Sequence, residues 1–456
     1  MGKEKNIGKR KFYERKYLKR LLMFGIVTAA AVTMLMQTDN ASAAKKKIKQ
    51  VNNSASTSLR KGVLTVSGKG KMTKKLIPTQ AQKKKIKKII IKKGITELPE
   101  EAFAGCNKAE EITISSSVRK IGMHAFSDTA VKDMVIPKTV KGIGWGICER
   151  CKQLESLTVP GNFKVLKPSS DKYYEPFVVG EYALKTVKFS TALEPELVRM
   201  VGDCEKFELQ DSDPNYKSID GMIYTKDGRM LVAIPYARKK VVVAEGCETV
   251  DTMSYSYTAR EAIDKFNEEE IYNGCGEIEK IIFPSSLKKV TDVMAKKYWN
   301  TIYTGKNCRK NTNIQVKIKS KDLDVKSMKL LWKSNILWRK SLAKEFERLG
   351  SAKITDGMVV LSDGYLVGYI GDKSDAKLQL PNNVKIIGEN AFNTSKEVTN
   401  EKFSVKSIVL CDGLEKIEDY AFDYDGLEVY CGNQSLSISE KAFWNCENYE
   451  IIRQKS

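Results

Sequence analysis

Ile112-Thr113-Ile114-Ser115-Ser116-Ser117-Val118-Arg119-Lys120-Ile121-Gly122-Met123-His124-Ala125-Phe126 is the stretch that decides the fold. Two apolar residues flank a polar one at its start, further apolar residues follow at +6 (Val118) and +9 (Ile121), and an Ala-Phe pair closes it at +13 and +14. The unit before it repeats these offsets from Ile89 (Ile91, Ile95, Leu98, Ala102-Phe103). The unit after it does so from Met134 (Ile136, Val140, Ile143), with a degenerate Ile147-Cys148 in place of Ala-Phe. The pattern returns from Leu378 (Leu380, Val384, Ile387, Ala391-Phe392) and from Ile408 (Leu410, Leu414, Ile417, Ala421-Phe422). A period of 22 to 23 residues held over three units is the signature of a solenoid, in which each unit covers the apolar face of its neighbour.

Each triplet alternates with period two, which predicts a short strand with its outer two side chains directed inward and its middle one outward. Pro137, Pro160, Pro284 and Pro381 directly follow such triplets, and proline lacks the N–H needed to extend a ladder. The +13 to +17 stretch, Ala102-Phe103-Ala104-Gly105-Cys106 in the first unit, is expected to form a returning turn or short helix with the Phe plugging the stack.

Two segments interrupt the repeat in the same way. Asp220-Gly221 leads through Met222-Ile223-Tyr224 to Asp227-Gly228, and Asp356-Gly357 leads through Met358-Val359-Val360 to Asp363-Gly364. Asp-Gly between alternating apolar runs predicts hairpins, because the turn needs positive φ. From Asp322 to Leu349, Leu331, Trp338, Leu342, Phe346 and Leu349 fall at helical spacings among Lys333, Arg339, Lys340, Lys344 and Arg348. This predicts an amphipathic helix packed on the stack, with a basic partner or membrane helix as the competing reading.

The N-terminus has the parts of a secretory signal. Basic residues crowd Lys3 to Arg20, Leu21 to Met36 carries no charge, and Ala41-Ser42-Ala43 offers a small-x-small cleavage site. A signal peptide over 1–43 is expected, an uncleaved anchor being the alternative. No lipobox-like Cys lies near its end and no sorting motif or hydrophobic tail closes the sequence, so the common covalent anchors are not expected. The formal charge of +22 is concentrated: residues 44 to 100 hold 17 basic and 2 acidic side chains, and residues 101 to 456 are nearly balanced. Lys45, Lys46, Lys47, Lys83, Lys84, Lys85, Lys87 and Lys88 form the densest runs, which suit a polyanion such as an anionic cell-wall polymer better than nucleic acid in an exported chain. A solvated linker is the competing reading of this end.

Ten cysteines in an exported chain suggest disulfides, but the register argues otherwise. Cys106 and Cys151 share position +17, Cys148 takes the Phe position +14, and Cys247 falls at +6 of a weaker unit from Val241, all core positions of the template. Cys106 and Cys151 are two units apart, about 10 Å at the usual strand spacing and beyond bridging reach. Buried free thiols are expected. Cys148-Glu149-Arg150-Cys151 spells CxxC, without a second pair or nearby His to suggest zinc. His124, the sole histidine, sits at +12 as a turn residue. Common Ser-His, Cys-His and His-rich metal sites are therefore not expected, and Gly142-Ile143-Gly144-Trp145-Gly146 follows the repeat rather than a dinucleotide fingerprint. Glu268-Glu269-Glu270 is read as a solvated acidic loop.

The string Ile-x-Ile-Pro-x-x-Val-x-x-Ile-Gly-x-x-Ala-Phe-x-x-Cys-x-x-Leu resembles the BspA-like leucine-rich repeat family. It is nearly complete over Ile112 to Phe126 and Leu378 to Phe392, and Phe103 to Cys106 and Phe443 to Cys446 supply the Phe-x-x-Cys part. The resemblance covers 62–160 and 213–456 well and is poor over Phe163 to Asp211 and Tyr298 to Lys353. It implies a leucine-rich repeat solenoid, with a β-strand plus turn or short helix per 22–23-residue repeat, inserted β-hairpins and a helical insertion. The expected organisation is a signal peptide over 1–43, a Lys-rich linker over 44–61, a capping segment over 62–85, and the solenoid over 86–456 with irregular insertions near 163–211 and 298–353. It also implies adhesion to host or bacterial surface proteins or glycans, with no cofactor, no metal and no catalytic residues.

The expectation is a secreted or cell-surface, non-enzymatic, monomeric binding protein without a transmembrane segment once the signal is removed. Its ligand face would be the middle residues of the triplets: Ile90, Thr113, Val135, Thr158, Lys188, Ile282, Gln379, Val409 and Glu428. An envelope-bound spacer held by its basic end is the second reading. A carboxylate-dependent glycan hydrolase, which needs only two placed acids, is the third.

Overall fold

The computed structural model describes residues 53–453 apart from 167–183, 196, 199–203, 236, 252–277, 293–313, 334–336, 372–375, 393–404, 423–425, 445 and 447. The signal segment, Lys45 to Lys47 and Glu268 to Glu270 lie outside the described residues.

The triplets form parallel ladders. Val63–Ser67, Lys88–Ile91 and Glu111–Ile114 pair in register, with Leu64, Ile89 and Ile112 in one row and Thr65, Ile90 and Thr113 in the next. A second sheet joins Asp133–Val135, Ser156–Val159, Thr186–Phe189 and Lys206–Leu209, with Met134, Leu157, Val187 and Phe207 in one buried row. This sheet runs through the stretch from Phe163 to Asp211, where the apolar template fades. Backbone pairing continues there because Val187, Phe189 and Phe207 keep the inward positions filled.

Ser56–Arg60, inside the stretch read as linker, is a strand instead. It pairs antiparallel with Val63–Ser67 across Lys61-Gly62, both at positive φ, and covers the first edge of the ladder.

The residues at +6 to +9 form a second ladder that the apolar offsets alone did not announce. Gly70–Lys71, Ile95–Leu98, Lys120–Ile121, Gly142–Gly144 and Lys164–Leu166 stack in parallel, so Gly142-Ile143-Gly144 is a strand. Two to four residues per strand are too few for period two to show in sequence.

The Ala-Phe stretches are stacked turns rather than helices. Backbone N–H groups of Glu101, Phe103 and Gly105 donate to carbonyls of Met123, Ala125 and Ser127 at 2.8, 2.8 and 2.9 Å. His124, Phe126 and Asp128 donate in the same way to Trp145, Ile147 and Glu149. Five of these turns carry a left-handed residue at +12: Glu101, His124, Gly146, Asn390 and Tyr420 have φ of 55°, 50°, 56°, 58° and 55°. The rings inside the turns stack, Phe103 on Phe126 with centroids 5.5 Å apart, and Phe422 between Phe392 and Phe443 at 5.1 and 4.9 Å. The Gly at +10 has a packing cause. A Cβ on Gly122 would lie 2.3 Å from the backbone nitrogen of Glu100, and one on Gly144 2.3 Å from that of Met123.

Both Asp-Gly segments are three-stranded antiparallel meanders, one strand longer than the sequence suggested: Tyr216–Ile219, Met222–Thr225 and Met230–Ala233, then Ala352–Thr355, Met358–Leu361 and Tyr365–Tyr369. Their central strands are buried on both faces. Ile223 joins the core of the preceding repeats while Met222 and Tyr224 join the following one, and Val359 and Leu361 face away from Met358 and Val360 in the same way. Each meander is thus a wall between two stretches of core, and its last strand starts the next ladder, Leu231 pairing with Val250 and Leu366 with Ile387.

The single amphipathic helix expected over Asp322 to Leu349 is two helices, Val325–Trp332 and Arg339–Arg348. The Asp324 side chain caps the first by accepting from the Ser327 N–H at 2.6 Å. Leu331 and Trp338 therefore do not share a helix face: Trp338 precedes the second helix as its N-cap. Leu342, Ala343 and Phe346 of the second helix are buried against Gln315–Ile318, the last strand of the ladder with Lys240–Val242 and Lys280–Phe283, while Met328, Leu331 and Trp332 of the first are buried against Lys289–Thr291 and Tyr365–Tyr369.

Candidate functional site

The alternation places the expected ligand row on the outer side of the ladders. On Asp133–Val135, Met134 is buried while Val135 is 55% exposed. Thr113, Lys188 and Gln379 are exposed, and Ile90, Thr158, Ile282, Val409 and Glu428 are half-buried. Pairing brings these into short rows. Ile90 lies beside Thr113; Val135, Thr158 and Lys188 follow one another; Gln379 lies beside Val409; Ile282 is in another sheet.

Glu428 is out of register with the row. Its neighbour is Ser407, and the residue beside Val409 is Tyr430. The two positions have the same parity, so both side chains leave the same side of the strand, but the row continues through Tyr430 because Val429, not Leu427, aligns with Ile408. Thr65, Val242 and Lys317 also belong to these rows without having been singled out. Val242 is 43% exposed and lies beside Ile282, a position already visible in the Val241-Val242-Val243 alternation.

Charge on this side is paired. The Lys188 ammonium lies 2.9 Å and that of Lys206 2.8 Å from the Glu208 carboxylate, which they hold below the usual carboxylate range. The apolar and hydroxyl positions Val135 and Thr158 adjoin this cluster through Lys188.

The described lysines of the basic runs divide. Lys83 ends the turn of helix Gln80–Lys83 and is buried, and Lys88 pairs with Glu111 across the ladder, so these two do not belong to a free basic edge. Lys84, Lys85 and Lys87 are exposed.

All eight described cysteines are buried. Burial pushes the thiols of Cys106 and Cys247 up to about 11, as expected of core residues. His124, at the left-handed +12 position, sets Nδ1 2.8 Å from Oε2 of Glu149, whose carboxyl that hydrogen bond draws below its ordinary range. Arg150 forks onto Asp128 at 2.6 to 3.1 Å. Among the described residues no group of three or more His, Cys, Asp or Glu is arranged to hold a metal ion, and no helix is long and apolar enough to cross a membrane.

The pattern of triplet, short strand and aromatic turn matches a known repeat. Six copies of the BspA type leucine rich repeat region match residues 79–173 and 372–456. These two stretches carry BspA-type leucine-rich repeats. Parallel ladders also occupy residues between these two BspA-type stretches. Among solved structures, the chain is similar to a leucine-rich repeat protein from Eubacterium ventriosum, with 17% identity, 87% of this chain and 93% of that one covered, and a TM-score of 0.40. It is also similar to the pneumococcal vaccine antigen PcpA, at 12% identity with 88% and 97% covered and a TM-score of 0.32. A leucine rich cell surface protein from Faecalibacterium prausnitzii is similar at 15% identity, with 81% and 74% covered and a TM-score of 0.26. No curated protein matches the chain.

Proposed function

We propose that this protein is a non-enzymatic, secreted or cell-surface binding protein whose stacked repeats present a ligand face on the outer side of the first ladders. The observation that carries this reading is the exposure of Val135 beside Thr158 and Lys188, with Ile90 beside Thr113 on the neighbouring ladder. Apolar and hydroxyl side chains there are held on rigid backbone, so a partner meets a surface that loses little entropy on binding. The ligand class is a macromolecule of a host or bacterial surface, protein or glycan, engaged by a monomer without cofactor. The test replaces Thr113, Val135 and Thr158 with Asp and measures binding to immobilised extracellular-matrix proteins and purified cell-wall polymers. Loss of binding by a variant that melts like the parent supports the face; unchanged binding removes it.

A second reading rests on Lys84, Lys85 and Lys87, exposed near the start of the described chain. With Lys45 to Lys47 they would hold the protein on an anionic envelope polymer. That attraction is screened within about 10 Å at 0.1 M salt, so release from the polymer as salt rises separates it from binding by the apolar face.

A further inference from the structure

The turn at Cys148-Glu149-Arg150-Cys151 departs from the repeat at one residue. Position +17 carries Cys106, Thr129 and Cys151 in successive units, whereas +14 carries Phe103, Phe126 and then Cys148. Replacement of a ring by a thiol breaks the aromatic stack and sets two cysteines in one turn.

The backbone of that turn, closed like the Phe103–Cys106 turn, allows a bridge. The N–H of Cys151 donates to the carbonyl of Cys148 at 3.2 Å, closing a four-residue turn with Arg150 left-handed at φ 57°. Such closure brings the first and fourth Cα within about 7 Å, the span over which a disulfide forms. The Cys151 thiol is held inside the turn, donating to the carbonyl of Phe126 at 3.2 Å. Thr129 lies against Cys151 from the preceding unit, its hydroxyl oxygen 3.3 Å from the sulfur. The neighbouring Cys148 thiol, and after it the Thr129 hydroxyl, draws the Cys151 thiol below its ordinary value, while the Cys151 thiol and burial push that of Cys148 up, which favours Cys151 as the attacking thiol and Cys148 as the resolving one. The sulfurs are buried while Glu149 is half-buried and Arg150 exposed between them, so exchange with a reagent requires this turn to open.

We propose that Cys148 and Cys151 form a reversible dithiol/disulfide site that exchanges with low-molecular-weight disulfides. The Cys151 thiolate attacks one sulfur of RSSR, whose S–S bond breaks, and RS⁻ leaves and is protonated. The Cys148 sulfur, giving its proton to solvent, then attacks Cys151 and expels the second RSH. The protein dithiol loses two electrons and two protons, and RSSR is reduced to two RSH. This site is independent of the proposed ligand face.

The test incubates the folded full chain with glutathione disulfide, quenches with acid, alkylates in denaturant and reads each cysteine by mass spectrometry. The site predicts an intramolecular Cys148–Cys151 bond formed at least about tenfold faster than oxidation of Cys106 or Cys247, and reopened by glutathione. Cys148→Ser predicts a glutathione mixed disulfide trapped on Cys151. Oxidation of the pair only in denaturant, equal rates at Cys106, or a folded Cys148→Ser chain that takes up no glutathione overturns the proposal.

Discussion

Nδ1 of His124 lies 2.8 Å from Oε2 of Glu149, one repeat further along, so the sole histidine ties two successive turns together. The left-handed backbone at His124 aims the ring at this carboxylate, and a Cβ on Gly146 would lie 2.4 Å from Nδ1.

This pair predicts a pH dependence. Glu149 ionises more readily folded than unfolded, so its contribution is complete at neutral pH and is lost as pH falls from the ordinary 4.5 through the lower folded value. Glu149→Gln should cost about 1 kcal/mol at pH 7. Melting curves of both proteins from pH 7 to 3 should converge at the acid end; a constant gap would show that the charge is not responsible.

Phe422 stacks between Phe392 and Phe443 with planes within 4° of parallel, and all three turns lean on it. Phe422→Ala should destabilise by about 3–5 kcal/mol, read as a lower urea midpoint. A loss below about 1 kcal/mol would mean that the ring is not part of a continuous core.

Gly122→Ala sets a methyl against the backbone of Glu100, which has no side-chain freedom with which to yield. A loss of about 1–3 kcal/mol is expected from this overpacking. Thermal unfolding checks it, and parent-like stability would show that adjacent units separate easily.

The inward positions were legible because side chains spaced at +2, +6, +9 and +14 must all reach one core, and Ile89, Ile91, Ile95, Leu98 and Phe103 are all buried. The second ladder was not, since Lys120–Ile121 and Gly70–Lys71 are too short to show a period. The left-handed +12 position was hidden because, of the five left-handed residues described there, only Gly146 and Asn390 carry a residue-type signal, while Glu101, His124 and Tyr420 are held there by their neighbours. The row position of Glu428 failed for a related reason. Alternation fixes the face of a side chain, but only pairing decides that Tyr430 is the neighbour of Val409. Lys83 and Lys88 show that a run of lysines read as one basic patch divides once backbone direction alternates or turns.

The most direct measurement compares two adjacent residues of one strand, Met134 buried and Val135 exposed. Met134→Asp and Val135→Asp are each assayed for melting temperature and for binding to immobilised matrix proteins and cell-wall polymers. Met134→Asp is predicted to lose its cooperative melt, because a carboxylate enters the core. Val135→Asp is predicted to melt within a few degrees of the parent and to bind at least about tenfold more weakly, a loss of about 1.4 kcal/mol. A Val135→Asp protein that binds like the parent, or a Met134→Asp protein that melts like it, would contradict the division of each strand into a face for folding and a face for binding.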